Sequence, residues 1–413
     1  MNQKLRNDID YIVENTIKEV LPDEAVTRAL NNFSYGKGKV ILVAAGKAAW
    51  QMAAAAKKVL KRLDGGIVIT KYDHVKSNIE GIQCFEAGHP VPDQNSFDAT
   101  KKAIELVEGL SEDDTVIFLL SGGGSALFEL PLISGEELQD ITKQLLASGA
   151  DIVEINTIRK RLSKVKGGRF ALACAPAKVF SIVLSDIVGD PLDMIASGPA
   201  YPDFSTCDEA KEIVRKYNIK LSKEAEELLN KETPKELNNV ETHMTGSVRE
   251  LCRAAASNSG KLGYKPIILT DELCCEAREA GSFLASIAKT KAKDNERLAI
   301  IAGGETVVHL TGTGKGGRNQ ELALSAAIGI AGNRGITVAS VGSDGTDGPT
   351  DAAGGYVDNE TYQELQAKGI NIHDVLKDND AYNALKAVDG LIITGATGTN
   401  VNDVAIALID IKN

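Results

Sequence analysis

Continuous apolar runs separated by helical patterns predict an α/β protein, with a mainly parallel sheet in the first half and a mixed sheet in the second. Three observations carry this expectation. Runs such as Val40–Ala44, Thr115–Leu120, Ile336–Val341 and Val404–Ile409 are apolar throughout, as strands buried on both faces must be. Helical spacing fills the gaps between runs, for example at Ala48–Leu63, Phe97–Glu108, Gly135–Ala147 and Arg249–Leu262. Several runs end in clusters of Gly and small polar residues, at the strand ends where open α/β sheets bind ligands.

Further strands are expected at Gly66–Thr70, Gln83–Glu86 and Lys178–Leu184, then at Pro266–Thr270, Leu298–Ala302, Thr306–Leu310 and Leu391–Thr394. This is the βαβ rhythm of a sheet with helices on both faces. Thr306–Leu310 follows Leu298–Ala302 after only Gly303-Gly304-Glu305. That gap is too short for a helical crossover, so the two are expected to pair as a hairpin and make the second sheet mixed. Tyr201–Val240 breaks the rhythm. It is polar, contains Pro202 and Pro234, and carries Glu and Lys on helical spacing without a strand. A boundary near its end divides the chain into domains 1–240 and 241–413, with the last strands free to pack back on the first. The alternative is a surface insertion within one domain.

A chain of 413 residues is too long for one ordinary core, which agrees with two domains. Apolar residues make up 43% and charged residues 25%, the values of a water-soluble globular protein. A net charge of −11 argues against nucleic acid as the partner, since phosphate backbones need basic stripes. An anionic small molecule remains compatible, because a few cations and backbone N–H groups hold one. The six cysteines show no CxxC spacing, which argues against zinc. Cys274-Cys275 is expected to be a buried pair of small apolar residues, and free thiols in a long chain fit the cytoplasm. Met1 to Val20 is charged throughout and reads as a helix, without the apolar core of a signal peptide; no apolar run reaches membrane-span length.

Seven loops could carry chemistry. Ala44-Ala45-Gly46-Lys47 ends an apolar strand and opens a helix, and Lys47 adds a cation where backbone N–H groups already favour anions. Ser121, Gly122, Gly123, Gly124 and Ser125 follow the next buried strand. Their bare backbone suits a phosphate or carboxylate, although no GxxxxGK[ST] occurs in the chain. A basic cluster, Arg159, Lys160, Arg161, Lys164, Lys166 and Arg169, could bind an anion, but for most members a solvated helix face is the expected role. Asp186, after Leu184-Ser185, is placed to ligate Mg²⁺ or take a proton from a hydroxyl; the plainer role is capping.

The later loops are richer. Gly312, Gly314 and Gly317 match GxGxxG, but no acidic residue follows at the spacing NAD requires. Lys315 and Arg318 beside bare backbone suit ATP phosphates better. Asp344, Asp347 and Asp351, interleaved with glycines, could gather around a hard cation. Gly395 to Asp403 is longer than a plain hairpin needs. Glu305, Asn319, Thr397 and Asn400 complete the candidate substrate- or nucleotide-binding residues. His89 is expected to structure its loop rather than act as a base, and the five histidines form no hydrolase triad.

Taken in order, these segments resemble the glycerate 2-kinase family, whose C-terminal half carries the so-called MOFRL region. The residues that carry the resemblance are AAGKAA at 44–49, GHPVPD at 88–93, SGGGSAL at 121–127, INTIRKRLSKVKGGR at 155–169, SDIVGDPLDMIASGP at 185–199, GGETVV at 303–308, GKGGRNQE at 314–321, SDGTDGPTDAAGG at 343–355 and GATGTNVND at 395–403. Each motif is weak alone, but the ordered set spans nearly the whole chain and is specific. Arg161 stands where the family often has His, Ala396 where Pro is usual, and Cys275 where a Gly often precedes Glu-Ala-Arg-Glu.

The resemblance implies a Rossmann-like N-terminal domain, a smaller α/β C-terminal domain and a site between them. It implies ATP and Mg²⁺ dependence, glycerate as acceptor and 2-phosphoglycerate as product. By carry-over, Lys47 and Arg318 are the two essential cations. Asp186 is then assigned to the substrate hydroxyl, and Asp344, Asp347 and Asp351 to Mg²⁺. Small-molecule substrates are the expected partners, with no nucleic acid and no membrane; a homodimer is left open. Two alternatives stand beside this expectation: an NAD(P)H-dependent hydroxypyruvate reductase, and a non-catalytic ligand sensor.

Overall fold

The computed structural model describes residues 1–31, 33–189 and 191–411. It forms two compact units: Ala25–Ser185 with Asp190–Thr245, and Gly246–Asn413 with Met1–Glu24 and Asp186–Gly189.

The first unit is built on strands β1 (Val40–Ala45), β2 (Gly65–Lys71), β3 (Ile82–Ala87), β4 (Thr115–Leu120), β5 (Lys178–Leu184) and β6 (Val240–Gly246), in the order β3-β2-β1-β4-β5-β6. β3, β2, β1, β4 and β5 pair parallel. β1 and β4 are buried at every position, which is why their sequences are unbroken apolar runs. Val40, Leu42, Ala44, Ile117 and Leu119 pack against Met52, Ala53 and Ala56 of the helix Ala49–Val59. The order 3-2-1-4-5-6 is that of doubly wound dinucleotide-binding folds, and it reverses direction between β1 and β4. The sequence pattern left Tyr201–Val240 without a strand, and β6 begins at its last residue.

The second unit carries β7 (Lys265–Leu273), β8 (Leu298–Gly304), β9 (Ile336–Gly342), β10 (Gly354–Asp358), β11 (Leu391–Ile392) and β12 (Asp403–Ile409), in the order β11-β10-β9-β12-β8-β7. β7 and β8 are parallel and the remaining pairs antiparallel, so the sheet is mixed. The period-2 alternation of strands sorts the core onto two faces. Leu298, Ile300, Ala405, Ala407 and Ile409 face the helices Ala277–Lys291 and Arg318–Ile330, whereas Ala299, Ile301, Val404, Ile406 and Leu408 face Gln3–Glu19 and Val248–Lys261.

Three expectations change here. Thr306–Leu310 is not a strand; Val307 makes one isolated parallel bridge to Glu276. The antiparallel partner of β8 is β12, whose residues Asp403–Ile409 oppose Gly304–Leu298. The last strands therefore stay in the second sheet. The division at 240/241 also shifts. Leu5, Ile9, Ile12, Val13 and Ile17 form one apolar face of the first helix and are buried in the core of the second unit, so residues 1–24 leave the first.

Candidate active site

In the first unit the chemistry collects at the switch point. The C-terminal ends of β1 and β4 lie side by side, with Ala45 opposite Leu120. Crevices of this kind are where open α/β sheets bind ligands. The two loops are sewn together by backbone: Ser121 N donates to Ala45 O (3.0 Å) and Lys47 N to Gly122 O (2.9 Å). Ala48 N donates to the buried Ser121 Oγ (3.1 Å). Gly123 has φ +84°, and a Cβ there would stand 3.0–3.1 Å from the His89 ring and the Lys47 side chain. Only glycine meets both demands. Lys47 is exposed, and its carbonyl accepts from Thr70 Oγ1 (3.2 Å) and pairs with His74 Nδ1 (3.0 Å).

His89 is the residue the sequence undervalued. Burial, then the charges of Lys47, Lys71 and His74, push its imidazolium below the ordinary pKa. The His89 ring, the Lys47 side chain and the bare glycine backbone are thus brought to one place at the ends of β1 and β4. The signal available in the sequence was the motif Gly88-His89-Pro90, but nothing in it says which loop the ring faces.

The basic segment is not a solvated face. Lys160, Arg161 and Lys166 are among the most buried residues of the unit. Lys166 Nζ donates to Ser125 O (2.9 Å) and Phe128 O (3.1 Å) and pairs with Glu129 (3.3 Å), which is fully buried. Arg159 Nη2 donates to the same Ser125 O (2.9 Å). Burial lowers the Lys166 ammonium to about 8, against the raising effect of Glu129. Ser125 Oγ meets Ser197 Oγ (3.0 Å), and Ser197 Oγ donates to Asn156 (2.9 Å). Lys160 and Arg161 pair with Asp203, at 3.2 and 3.8 Å. The carboxylates come from distant positions, so periodicity along 159–169 could not reveal them. Only Lys164 keeps the expected exposed role.

In the second unit the centre is Arg318, the first residue of the helix Arg318–Ile330. Its guanidinium donates to both oxygens of Asp403, Nε to Oδ2 (2.5 Å) and Nη2 to Oδ1 (3.1 Å), and Nη1 donates to Glu305 (3.0 Å). Burial opposes its charge, yet Asp403 and Glu305 hold the pKa above the ordinary value. Asn402 Nδ2 links Glu305 (3.2 Å) to the carbonyl of Asp186 (3.2 Å), while Asn402 Oδ1 is buried without a partner among the described residues. Asp403, the main partner of Arg318, is the last residue of the segment GATGTNVND and is not among the residues the sequence points to. The signal for it was the need of any half-buried guanidinium for a carboxylate.

The remaining assignments divide. Asn319 is fully engaged: N and Nδ2 donate to Asp347 (3.1 and 3.3 Å), and Oδ1 accepts from Ser340 (2.6 Å). Lys315 lies 4.3 Å over the Tyr382 ring, and its N–H is held by Asp380. Thr397 Oγ1 donates to Ser343 O (2.6 Å), and Asn400 accepts from Asn402 N (3.3 Å). Asp190 of the Asp186 loop lies outside the described residues.

The three-carboxylate cage expected for Mg²⁺ does not form. Asp347 is buried under the start of the helix Arg318–Ile330, accepting from the N–H groups of Asn319 (3.1 Å) and Gln320 (2.9 Å), which makes it a helix cap. Asp351 accepts from Tyr382 Oη (2.7 Å). Asp344 stays apart from both, with Oδ1 on Thr346 N (2.9 Å). Among the described residues no three His, Cys, Asp or Glu side chains converge as a metal site. Asp344 Oδ1 and Asp403 Oδ1 do each lie 3.4 Å from the point where a Cβ on Gly342 would stand, so this one carboxylate borders the Arg318 cluster.

Burial raises the Asp403 carboxyl to about 6, although Arg318 pulls it down. An ordinary carboxyl titrates near ~4. Between these values the folded chain keeps a proton that the unfolded chain has lost. The stability linked to this group is thus present at low pH and lost as pH rises through about 6. Asp403→Asn should lack that fall. Thermal melts of both proteins from pH 4.5 to 7 test it, and parallel curves would remove the assignment.

Comparison with known proteins agrees with this architecture. Residues 8–230 match the model of a domain of unknown function, DUF4147, and residues 298–403 match the MOFRL family. The D-glycerate 2-kinase of Thermotoga maritima is 54% identical, with 96% of this chain and 97% of that protein covered. A crystal structure of glycerate kinase from the same organism superposes with a TM-score of 0.93 at 53% identity, covering 98% of this chain and all of the other. A relative from Agrobacterium vitis, provisionally named hydroxypyruvate reductase, is 40% identical, with 90% of this chain and all of that protein covered. With both halves matched and identity this high over nearly its full length, the chain belongs to the glycerate 2-kinase family.

Proposed function

We infer that this chain is an ATP-dependent D-glycerate 2-kinase, moving the γ-phosphoryl group of ATP to the 2-hydroxyl of D-glycerate and releasing ADP. The observation that carries the reading is the switch-point cradle. Lys47, the bare backbone of Gly122 to Gly124 and a neutral His89 meet there, in a chain 54% identical to a named D-glycerate 2-kinase. Phosphoryl transfer asks for charge neutralisation and alignment more than for covalent chemistry. Lys47 supplies one cation and Arg318 another. Asp186, half-buried and held by Asn402 through its backbone carbonyl, supplies the carboxylate that orients the acceptor hydroxyl. Free thiols and the absence, among the described residues, of any helix long and apolar enough to cross a membrane support a cytoplasmic place of work.

The test is incubation of the pure protein with D-glycerate, Mg²⁺ and ATP, coupled directly to enolase. Immediate enolase signal and stoichiometric ADP are expected. Signal that waits for added phosphoglycerate mutase would mean the 3-hydroxyl is the acceptor. NADH consumption with hydroxypyruvate, without ADP from glycerate, would sink the kinase reading in favour of the reductase suggested by the Agrobacterium relative's name. Against the reductase, β1 runs into Ala45-Gly46-Lys47 in place of the G-x-G-x-x-G turn that seats a dinucleotide.

Mg²⁺ belongs to the reading through ATP. It prefers a few carboxylates with phosphate oxygens and water over an all-protein cage. Asp344 is the carboxylate assigned to it. Asp344→Asn should raise the Mg²⁺ concentration for half activity severalfold. Asp351→Asn should leave it unchanged, because that carboxylate serves Tyr382. Equal Mg²⁺ dependence in Asp344→Asn and the parent protein removes Asp344 from the site.

A further inference from the structure

The adjacent Cys274 and Cys275, expected to be buried, are both exposed. Cys174, Cys207 and Cys252 are buried and Cys84 is half-buried, so any thiol reagent meets this pair first. The pair is exposed because β7 is an edge strand and the chain leaves the sheet at Leu273. From there it runs as a short ladder beside the segment after β8. Glu305 N donates to Leu273 O (2.8 Å), Val307 N to Cys275 O (3.1 Å) and Ala277 N to Val307 O (2.9 Å). The ladder is tight: a Cβ on Gly304 would stand 2.0 Å from Leu273 O. Glu305 sits in the middle of the ladder, and its carboxylate accepts from Arg318 (3.0 Å) and Asn402 (3.2 Å).

We propose that Cys274 and Cys275 form a thiol–disulfide exchange site for small-molecule disulfides, and that its occupation slows phosphoryl transfer by displacing Glu305 from Arg318. The proposal rests on the kinase reading for its effect on turnover. The thiolate of one cysteine attacks a sulfur of the disulfide RSSR. A protein S–SR bond forms, the RS–SR bond breaks, and RS⁻ leaves to take up a proton. The neighbouring thiol can then displace the second RSH, so that two protein thiols are oxidised while RSSR is reduced to two RSH. In a ladder, successive side chains point to opposite sides. Bringing the two sulfurs to one side therefore breaks the Cys275–Val307 hydrogen bond. A bulky S–SR group strains the same strip. Either product disturbs the carbonyls that hold Glu305 and Val307.

The test treats reduced full-length protein with glutathione disulfide. Peptide mass mapping should place the adduct, or the loss of two hydrogens, on 274–275 before any other cysteine. Turnover should fall between about two- and thirtyfold, the range of coupling carried through packed segments, and recover with dithiothreitol. A Cys274→Ser/Cys275→Ser variant should keep the parent's reduced turnover and ignore the disulfide. Amide hydrogen exchange over 303–308 should quicken on modification in the parent alone. Modification at 274–275 with unchanged exchange and turnover overturns the proposal, as does equal inhibition of the double variant or failure of these thiols to react. If the reduced parent makes no ADP from glycerate, the kinase reading fails separately, and hydrogen exchange still decides the coupling.

Discussion

Arg318→Ala should lower turnover by about 10³–10⁵, the contribution of an arginine that meets the transferring group in phosphoryl transfer. The guanidinium is clamped on one side by Asp403 and Glu305 and remains about one-third exposed. It is therefore pre-oriented, with donors left for a ligand. A cation aimed at transition-state charge acts on kcat more than on substrate binding, so KM should change little. Arg318→Lys should recover little, because one ammonium cannot span both Asp403 oxygens and also reach a phosphoryl oxygen. Lys47→Ala should show a comparable loss with an unchanged melting temperature, since Lys47 is exposed and its structural bonds are all through backbone. Steady-state kinetics with thermal melts are the measurement. Near-normal turnover in either folded variant would take that residue out of the chemistry.

Glu129→Ala is the change expected to cost most stability. Removing this carboxylate leaves Lys166 fully buried and Arg159 nearly so, without their counter-charge. Breaking a buried pair by deleting one partner costs about 3–5 kcal/mol, because the remaining ion stays desolvated. In a unit of this size that corresponds to a fall in melting temperature of roughly 6–20 °C. Ser125 O depends on both cations, so the glycine loop should loosen and the surviving folded protein should lose turnover as well. Glu129→Gln should fare nearly as badly, since it keeps the size but not the charge. Glu129→Leu combined with Lys166→Met should regain much of the stability but not the loop's rigidity. A melting temperature within 2 °C of the parent in Glu129→Ala would show that the cluster is solvated and not a structural strut.

What the sequence by itself determined follows from local physics. Strands buried on both faces must be apolar throughout, so β4 and β5 were legible to the residue, and β1, β9 and β12 to within one. The helix Gly135–Ala147 was legible in full from its 3.6-residue spacing, and in the structure Ser134 caps it. Glycine clusters after the buried strands β1 and β4 made Lys47 and Ser121 to Ser125 candidates, because bare backbone has few structural uses there. β6 and β10 were missed: Val240–Gly246 is only partly buried and mixed in polarity, and Gly354–Asp358 opens with two glycines.

What only the tertiary structure decided is pairing across long sequence distance. No pattern near Leu298 says that its strand aligns with residues about a hundred positions later, and the hairpin expected from the short gap gave way to β12. The first helix joined the C-terminal unit because its apolar stripe found a core there; amphipathicity states that a face is buried, not against what. The Asp residues at 344, 347 and 351 look equivalent along the chain, yet one caps a helix, one holds a tyrosine and one borders Arg318. Lys160, Arg161 and Lys166 read as surface because charge without a partner belongs in water. Glu129 and Asp203, contributed from elsewhere in the fold, are what make their burial affordable.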